Sequence, residues 1–237
     1  MKFNYETWWQ DYNEVNKYDP GTRVRKEIIC QKIADRKYKT ILDIGAGSGE
    51  LLEEIHRRFP RKILDGNDVS EEALKILDKK KIARKTYVLD LEKENSLSGN
   101  YDAVICSEVI EHLKNWPIAL KIMGQLTRKG GRAIVTTQAG KRYPHHLAIG
   151  HLQHFDPKDI EREMIKAGFK IESSKRLGWP FMNLKNLLVT YFLKGDSYKD
   201  GRISRFQKLG FNIFYYLYHL SIGNGGPQIV IVAKKVT

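Results

Sequence analysis

Five short apolar segments recur along the first 140 residues, and the first two are each followed by apolar residues at helical spacing. The segments are five or six residues long and are rich in Val, Ile and Leu, which is typical of buried strands. The predicted strands are Thr40–Ile44, Lys62–Asn67, Lys85–Leu89, Tyr101–Cys106 and Arg132–Thr137. Strands that alternate with amphipathic helices predict an α/β fold with a mostly parallel sheet.

The pattern continues downstream with one more helix and two more strands. Asp156-Pro157 is a typical helix start, and Gly168 a typical helix end, so we predict a helix over Lys158–Ala167. The sixth and seventh strands are predicted at Phe169–Leu177 and Gln228–Lys234.

Two regions depart from the strand–helix alternation. Aromatic residues from Tyr5 to Tyr18 run at roughly helical spacing, Asp19-Pro20-Gly21 interrupts them, and a second helix is predicted over Arg23–Arg36. Residues 179–226 form an insertion with eleven aromatic residues, and six Lys or Arg against two Asp. We predict two helices in it, near Leu184–Leu193 and Ile203–Leu220, joined by Lys194–Gly201.

The chemistry is concentrated first in the segment Ile41–Gly49, which reads ILDIGAGSG. A strand ends in an acidic residue and a turn with three glycines, and a helix is predicted over Ser48–Arg58 with Ser48 as its N-cap. The turn lacks the GxGxxG pattern of dinucleotide enzymes and the lysine of phosphate loops. Asp43 would repel a pyrophosphate but suits a ligand with an amino group. The plainer interpretation is a tight turn found in any α/β protein.

Acidic residues also follow the next strands. Asp68 ends the second strand, where doubly wound folds place a carboxylate against ribose hydroxyls, and Ser70 is expected to cap the helix Glu71–Lys80. Asp90 ends the third strand, and Ser107-Glu108 ends the fourth. Ligands of open α/β sheets bind at the carboxyl ends of strands, so these side chains predict one binding edge.

These segments resemble the class I S-adenosylmethionine-dependent methyltransferases of the type 11 and type 12 families. The resemblance rests on ILDIGAGSGELLEEI, NDVSEEAL, VLDLEK, YDAVICSEVIEHL and LTRKGGRAIVTT, and on HLQHFDPKDIEREMIKAGFKIE downstream. It implies a Rossmann-like sheet of seven strands, with the seventh antiparallel between the fifth and the sixth. It also implies one methyltransferase domain: a helical cover (1–38), a core (39–178 and 227–237) and the insertion as a cap (179–226).

The resemblance implies S-adenosylmethionine as the cofactor. The glycine turn would wrap its methionine part, Asp68 its ribose and Asp90 its adenine, and Arg23 or Arg25 could pair with its carboxylate. The expected cofactor-binding residues are Asp43, Gly45, Ala46, Gly47, Gly49, Asp68, Val69, Asp90, Leu91, Ser107, Glu108 and Arg23.

The segment EVIEHL suggests a second centre. In a helical turn Glu108, Glu111 and His112 would share one face, and two carboxylates with an imidazole can bind a divalent cation such as Mg²⁺ or Mn²⁺. His151 is the expected fourth ligand. The pattern E-x-x-E-H in this segment resembles two branches of the superfamily that use a metal. They are the small-RNA 2′-O-methyltransferases and the ubiquinone-pathway O-methyltransferases. The pattern also occurs in metal-free members, where His112 would act as a general base and Glu108 would lie near the cofactor.

Histidines crowd the segment after the fifth strand, where the acceptor is expected to enter. Candidate substrate-binding residues are His112, His146, His151, His154 and Trp179. The aromatic insertion suits an amphipathic or anionic substrate, and a homodimer contact or a membrane-surface patch are alternatives.

Composition agrees with a globular enzyme and limits the partners. Hydrophobic residues make up 41% of the chain, which is enough for a core. The two cysteines indicate no disulfide framework. No run of apolar residues is long enough to span a bilayer. We therefore expect a cytoplasmic protein without a signal peptide. The net charge of +13 raises the odds of an anionic partner, but the basic residues are dispersed and no nucleic-acid module is visible.

The sequence thus predicts a methyltransferase that acts on a small molecule, with O-methylation of a glycan, lipid-linked or secondary-metabolite acceptor favoured. Nucleic acid is a less favoured partner, and a metal-assisted RNA 2′-O-methyltransferase is the alternative enzyme. A catalytically silent cofactor-binding subunit is the alternative from another class.

Overall fold

The computed structural model describes residues 17–93, 98–192, 204–222 and 224–237. Its centre is a seven-stranded sheet with the order β3-β2-β1-β4-β5-β7-β6. The strands are β1 (Thr40–Ile44), β2 (Ile63–Asp68), β3 (Lys85–Val88), β4 (Tyr101–Ser107), β5 (Thr127–Gln138), β6 (Phe169–Leu177) and β7 (Gln228–Lys235). β7 is antiparallel to β5 and β6, and the neighbours from β3 to β5 are parallel. The predicted fold class is confirmed.

Helices cover both faces of the sheet. They are α1 (Pro20–Lys32), α2 (Glu50–Arg58), α3 (Glu71–Lys79), α4 (Pro117–Leu126), α5 (Pro144–Ala148), α6 (Pro157–Lys166), α7 (Phe181–Phe192) and α8 (Arg205–His219). One buried cluster joins the sheet to α1, α2 and α3, and the other joins it to α4 and α6. Among the described residues, no helix combines the length and the apolar character needed to cross a membrane.

Several predicted boundaries differ from the structure, and three of these differences have a clear physical reason. Ser48 does not cap α2; Gly49, in a left-handed conformation, is the N-cap, because the glycine turn continues one residue further. β5 begins at Thr127 rather than Arg132, and a register irregularity opposite Tyr101 accommodates its two glycines. α1 begins at Pro20, where Asp19 accepts a hydrogen bond from the Thr22 N–H, so the predicted interruption is the start of the helix.

The insertion contains both predicted helices, as α7 and α8, whereas their link lies outside the described residues, as does nearly all of the predicted leading helix. α8 packs on α1. Arg23 donates to Asn212 and its guanidinium lies over the Tyr215 ring. Lys185 of α7 donates to Asp19 at 2.8 Å, and both side chains are buried. Helices α7 and α8 therefore pack with α1 as one unit.

Candidate functional site

The glycine turn lies where β1 ends, and its conformation explains its composition. Gly45, Gly47 and Gly49 all have positive φ. A Cβ on Gly45 would come within 2.3 Å of Val109, so the turn also packs against the segment that follows β4. The Gly47 N–H donates to the Asp68 carboxylate at 2.8 Å, which joins the turn to the end of β2.

Asp43 is the buried charge of this turn. Its side chain is almost fully enclosed, and burial together with the nearby charge of Asp68 raises the pKa of Asp43 to about 8, although Arg25 opposes the shift. Such a carboxyl is largely protonated at neutral pH and gains from a nearby cation. The position suits the ammonium group of a ligand.

Asp68 and Asp90 lie at the same edge of the sheet, where the neighbouring strands β2 and β3 end. Asp68 also accepts from the Ser70 N–H at 2.9 Å, and Ser70 caps α3 as predicted. Asp90 is partly exposed and pairs with Lys93. Glu92 accepts from the N–H groups of Lys114 and Asn115, which holds this loop against the segment after β4.

Unsatisfied polar groups lie beside the turn. Ser48 Oγ and both polar atoms of the Asn67 side chain are buried and have no hydrogen-bond partner among the described residues. Unpaired buried groups are costly, so they mark places where a polar ligand or water would bind. The residues at this edge therefore fit a ligand with an amino group, hydroxyls and a base.

Glu108 stands at the end of β4 in a strained conformation with φ of 56°. Its carboxylate accepts hydrogen bonds from Thr136, Gln138 at 2.6 Å and Gln228 at 2.9 Å. Arg25 approaches it to 3.7 Å. The bend turns Glu108 along the sheet edge toward β5 and β7.

A separate cluster forms from Glu111, His112 and His151. A short 3₁₀ helix, Ile110–His112, carries the first two, and one ligand atom from each of the three residues lies within 4.8 Å of the others. Glu111 is fully buried; Oε2 accepts from Thr137 Oγ1 at 2.8 Å, and Oε1 has no hydrogen-bond partner among the described residues. Burial and the charge of Glu108 raise the pKa of Glu111.

Two backbone carbonyls set the tautomers of these histidines. Burial lowers the pKa of His112 to about 4, and it also lowers the pKa of His151 and His154, so the rings are neutral. His112 Nδ1 lies 3.2 Å from the Gly150 carbonyl and must carry the proton, because a carbonyl only accepts. This leaves the lone pair of His112 on Nε2.

The same argument extends to His151 through His154. His154 Nδ1 lies 3.2 Å from the Gly140 carbonyl, so its Nε2 is an acceptor. His151 Nδ1 lies 3.1 Å from that Nε2 and therefore donates to it, which leaves a lone pair on Nε2 of His151. Histidines that bind metals usually donate their other ring N–H in this way.

The remaining predicted residues occupy different surroundings. His146 accepts from the Tyr143 N–H and stacks on His151, which places it behind the cluster. Trp179 follows the end of β6 and is about half exposed. Arg23 is turned toward Asn212 and Tyr215 instead of the binding edge, so the structure places Arg25 there.

The structure brings together three of the four residues predicted as metal ligands. Glu111, His112 and His151 come together, but Glu108 does not belong to the cluster, because the segment forms a 3₁₀ turn instead of an α-helical face. Sequence reasoning also missed Gln138, Gln228 and Thr137. The two glutamines occupy opposing positions on β5 and β7, a register that the sequence does not show.

A family model described as a methyltransferase domain matches residues 22–174, well over half of the chain. The chain belongs to this methyltransferase family. The family match spans the glycine turn, Asp68, Asp90, Glu108 and the histidine cluster. The predicted class of S-adenosylmethionine-dependent methyltransferase is thereby confirmed.

Two curated methyltransferases are similar in sequence to about half of this chain. The ubiquinone biosynthesis O-methyltransferase of Aeromonas salmonicida is 29% identical over 135 residues, which cover 55% of this chain and 56% of that protein. The enzyme of the same name from Alkalilimnicola ehrlichii is 26% identical over 142 residues, with 55% and 54% covered. The alignments thus cover about half the length of these relatives.

Solved methyltransferase structures share the fold. Phosphoethanolamine N-methyltransferase 2 of Haemonchus contortus, in complex with S-adenosyl-L-methionine, gives a TM-score of 0.63 at 19% identity over 92% of this chain and 54% of that chain. Magnesium protoporphyrin IX methyltransferase of Synechocystis PCC 6803 gives 0.56 at 16% identity, over 91% and 80%. At these identities the likeness concerns the fold alone.

Proposed function

We propose that this methyltransferase transfers a methyl group from S-adenosylmethionine to an oxygen atom of a small molecule. The observation that carries the cofactor half is the buried Asp43 beside a glycine turn, with Asp68 joined to that turn. A glycine turn that contains no lysine, at an edge that carries carboxylates, suits a ligand with a cationic amino acid and no phosphate. The names of the curated relatives, which are O-methyltransferases, support the choice of oxygen.

The residues that would hold the cofactor follow from their positions. Asp43 suits the ammonium group, and Arg25, replacing the predicted Arg23, suits the carboxylate. Asp68 suits the ribose hydroxyls, because it ends β2 at this edge and its carboxylate is joined to the glycine turn through the Gly47 N–H. When bound, S-adenosylmethionine supplies a methyl group that is already activated by the sulfonium. Val69, Asp90 and Leu91 border the expected adenine position.

His112 is the candidate base for the acceptor. Its neutral ring and its lone pair on Nε2 allow it to take the proton that an attacking hydroxyl group must lose. Gly150 holds the ring in that tautomer. Holding two reactants in line is worth about 7–11 kcal/mol of the barrier, so positioning by Glu108 and the histidine segment can supply most of the remaining catalysis.

The cofactor assignment is tested by thermal unfolding with S-adenosylhomocysteine. A ligand at about 100 times its Kd stabilises the native state by about 2.7 kcal/mol, which corresponds to a rise in Tm of roughly 5–10 °C for a domain of this size. We expect this rise in the wild type and its loss in Asp68→Ala. Asp35→Ala, which removes an exposed carboxylate, is the matched control. An unchanged wild-type Tm would refute the assignment.

We also propose a divalent cation at Glu111, His112 and His151. The unpaired Oε1 of Glu111 and the two Nε2 lone pairs fit a cation, and a set with two imidazoles favours Mn²⁺ over Mg²⁺. A bound cation would lower the pKa of an acceptor hydroxyl group. Because it would occupy the Nε2 lone pair of His112, it would replace His112 as the group that activates the acceptor, and His112 acts as the base only where no cation is bound.

The cation proposal has a readout that does not depend on activity. We expect Mn²⁺ to raise the Tm of the wild type and to leave the Tm of Glu111→Gln unchanged. Glu54→Gln, which alters a carboxylate on the outer surface of α2, should respond as the wild type does. Equal Tm values with and without Mn²⁺ would exclude the site.

A metal-assisted RNA 2′-O-methyltransferase is the second candidate. Two observations favour it: Glu111, His112 and His151 lie close enough together to bind one metal ion, and the net charge of the chain is +13. A silent cofactor-binding subunit would bind S-adenosylhomocysteine equally well but would transfer no methyl group to any acceptor.

A further inference from the structure

Helix α8 exposes a continuous apolar stripe. Phe206, Leu209, Ile213, Tyr216 and Leu220 follow one another at alternating spacings of three and four, which places them along one line of the helix and just past its end. All are exposed: Phe206 to 87% and Tyr216 to 69%. Exposed apolar residues are normal singly, but a contiguous stripe is typical of an interaction surface.

The neighbouring helix extends this surface. α7 exposes Leu184, Leu187 and Tyr191 at the same spacing. Between the helices lies an apolar cavity of about 330 Å³. Its lining consists of Lys185, Leu188, Val189, Phe206, Gln207, Gly210, Phe211 and Phe214. Because Phe206 belongs both to the stripe and to the lining, the cavity and the stripe form one surface, which we call the α7–α8 face.

The apolar exposure is concentrated in this insertion. Of the seventeen exposed large hydrophobic residues in the described part of the chain, ten lie between positions 179 and 222. The rest are scattered over strands, other helices and loops. Seven of the ten lie on α7 and α8, so these two helices are the surface to explain.

The charges on the α7–α8 face indicate its partner. Neither helix contains an acidic residue, whereas α8 begins with the exposed Arg205. Lys208 follows one turn further on, half-buried, with its ammonium 4.9 Å from the centre of the Tyr18 ring. Lys185 is buried and paired with Asp19, so it does not contribute to the surface charge. A second copy of the chain would bring cations against cations, with a net charge of +13 on each copy. A partner that is both apolar and anionic would match the apolar stripe and the positive charge of this face.

We propose that the α7–α8 face docks on the surface of an anionic lipid bilayer. The stripe would enter the boundary between headgroups and acyl chains, and Arg205 and Lys208 would contact anionic headgroups. Helices that lie in the plane of a membrane combine these features: an aromatic and aliphatic face flanked by Lys and Arg. Basic residues near an anionic surface strengthen such binding and make it dependent on salt.

Vesicle flotation of the full chain tests the proposal. We expect the protein to float with vesicles that contain phosphatidylglycerol and to bind at least tenfold more weakly to pure phosphatidylcholine. The double variant Phe206→Ser with Tyr216→Ser should bind phosphatidylglycerol vesicles at least tenfold more weakly than the wild type. Ile165→Ser removes an apolar side chain that is exposed to a similar degree on α6, and should bind as the wild type does.

A second pair of variants tests the charges. Arg205→Gln with Lys208→Gln should lose most of the preference for phosphatidylglycerol, whereas Lys79→Gln with Lys129→Gln, which removes two exposed lysines elsewhere, should keep it. Circular dichroism and S-adenosylhomocysteine binding establish that each variant is folded.

Three outcomes would overturn the proposal. The first is a wild-type protein that stays unbound at every phosphatidylglycerol concentration. The second is unchanged vesicle binding by the Phe206 and Tyr216 variant. The third is a dimer in light scattering that this variant converts to a monomer while vesicles remain unbound, because the occupant of the face would then be a second copy.

Discussion

The buried carboxyl group of Asp43 has a raised pKa, which prepares it to bind a cation. In the folded chain it is a buried carboxyl beside Asp68, and its pKa of about 8 lies above the unfolded value of 3.8. A carboxyl with a raised pKa destabilises the fold as pH rises from about 4 to about 8, because the ionised form is disfavoured by burial. A ligand ammonium reverses that preference, so binding and proton release are coupled.

We therefore predict that S-adenosylhomocysteine binds more tightly as pH rises from 6 to 8. One linked proton corresponds to a fall in Kd of up to about tenfold per pH unit, with a plateau above pH 8. Asp43→Asn cannot ionise, so its affinity should be lower and should lose this dependence. Isothermal titration calorimetry from pH 6 to pH 9 measures both effects, and Asp35→Asn is the surface control. Equal slopes for wild type and Asp43→Asn would contradict the assignment.

At the scale of elements, the glycine turn and α3 depend on each other. A Cβ on Gly49 would lie 2.3 Å from Leu77 of α3, and Gly49 has a φ of 82°. The turn can pack this closely on α3 only because position 49 has no side chain. The close approach brings the start of α2 toward Asp68.

Gly49→Ala should lower the free energy of unfolding by about 2–5 kcal/mol, because it combines a left-handed strain with overpacking. Gly210 offers a matched control. It lies within α8, and a Cβ there would meet nothing within 4 Å. Gly210→Ala should raise the free energy of unfolding by about 0.5–1 kcal/mol. Urea unfolding of both variants distinguishes them, and destabilisation by both would show that the packing at Gly49 is not the cause.

At the scale of the whole molecule, the charge is distributed rather than focused. Many basic residues are held in pairs, such as Arg84 with Asp65 and Arg128 with Asp102. Arg57 and Arg58 both contact Glu54 on the outer surface of α2. These pairs lie away from the histidine cluster, so they do not form a track that leads a nucleic acid to the site.

The small-molecule proposal predicts weak RNA binding. Dispersed cations give non-specific contacts with Kd values of about 10⁻⁴ to 10⁻⁶ M at physiological salt, and the affinity falls steeply as salt rises. A filter-binding titration with single-stranded RNA at near-physiological salt measures this. A nanomolar complex that persists under those conditions would favour the RNA 2′-O-methyltransferase instead.

Local signals made much of this architecture predictable. β1 and β6 have their predicted bounds, and Ser70 and Asp156 cap the helices as expected, because alternation and capping act over a few residues. Ser48 was wrong as a cap because the left-handed glycine after it starts the helix. The carboxylates of the candidate site were predictable where acidic residues stand at or next to the last position of a strand, as with Asp43 and Asp68.

The rest of the site depends on contacts between distant segments. Glu108 contacts Gln138 and Gln228, which the register of β5 and β7 brings together, and Arg25 of α1. The direction of its side chain depends on a positive φ that glutamate rarely adopts. The lone pairs of His112 and His151 depend on carbonyls of Gly150 and Gly140, whose directions a linear sequence does not reveal.

The position of β7 has a consequence for the order of assembly during translation. Gln228, which holds Glu108, begins the last strand in the sequence, yet β7 lies inside the sheet between β5 and β6. Until residues 178–227 have been made, β7 cannot enter the sheet, so β5 and β6 must leave room for it. The edge of β5 is exposed during that interval, and Glu108 lacks one of its amide donors. A chaperone that shields strand edges would find its substrate there, in the nascent chain.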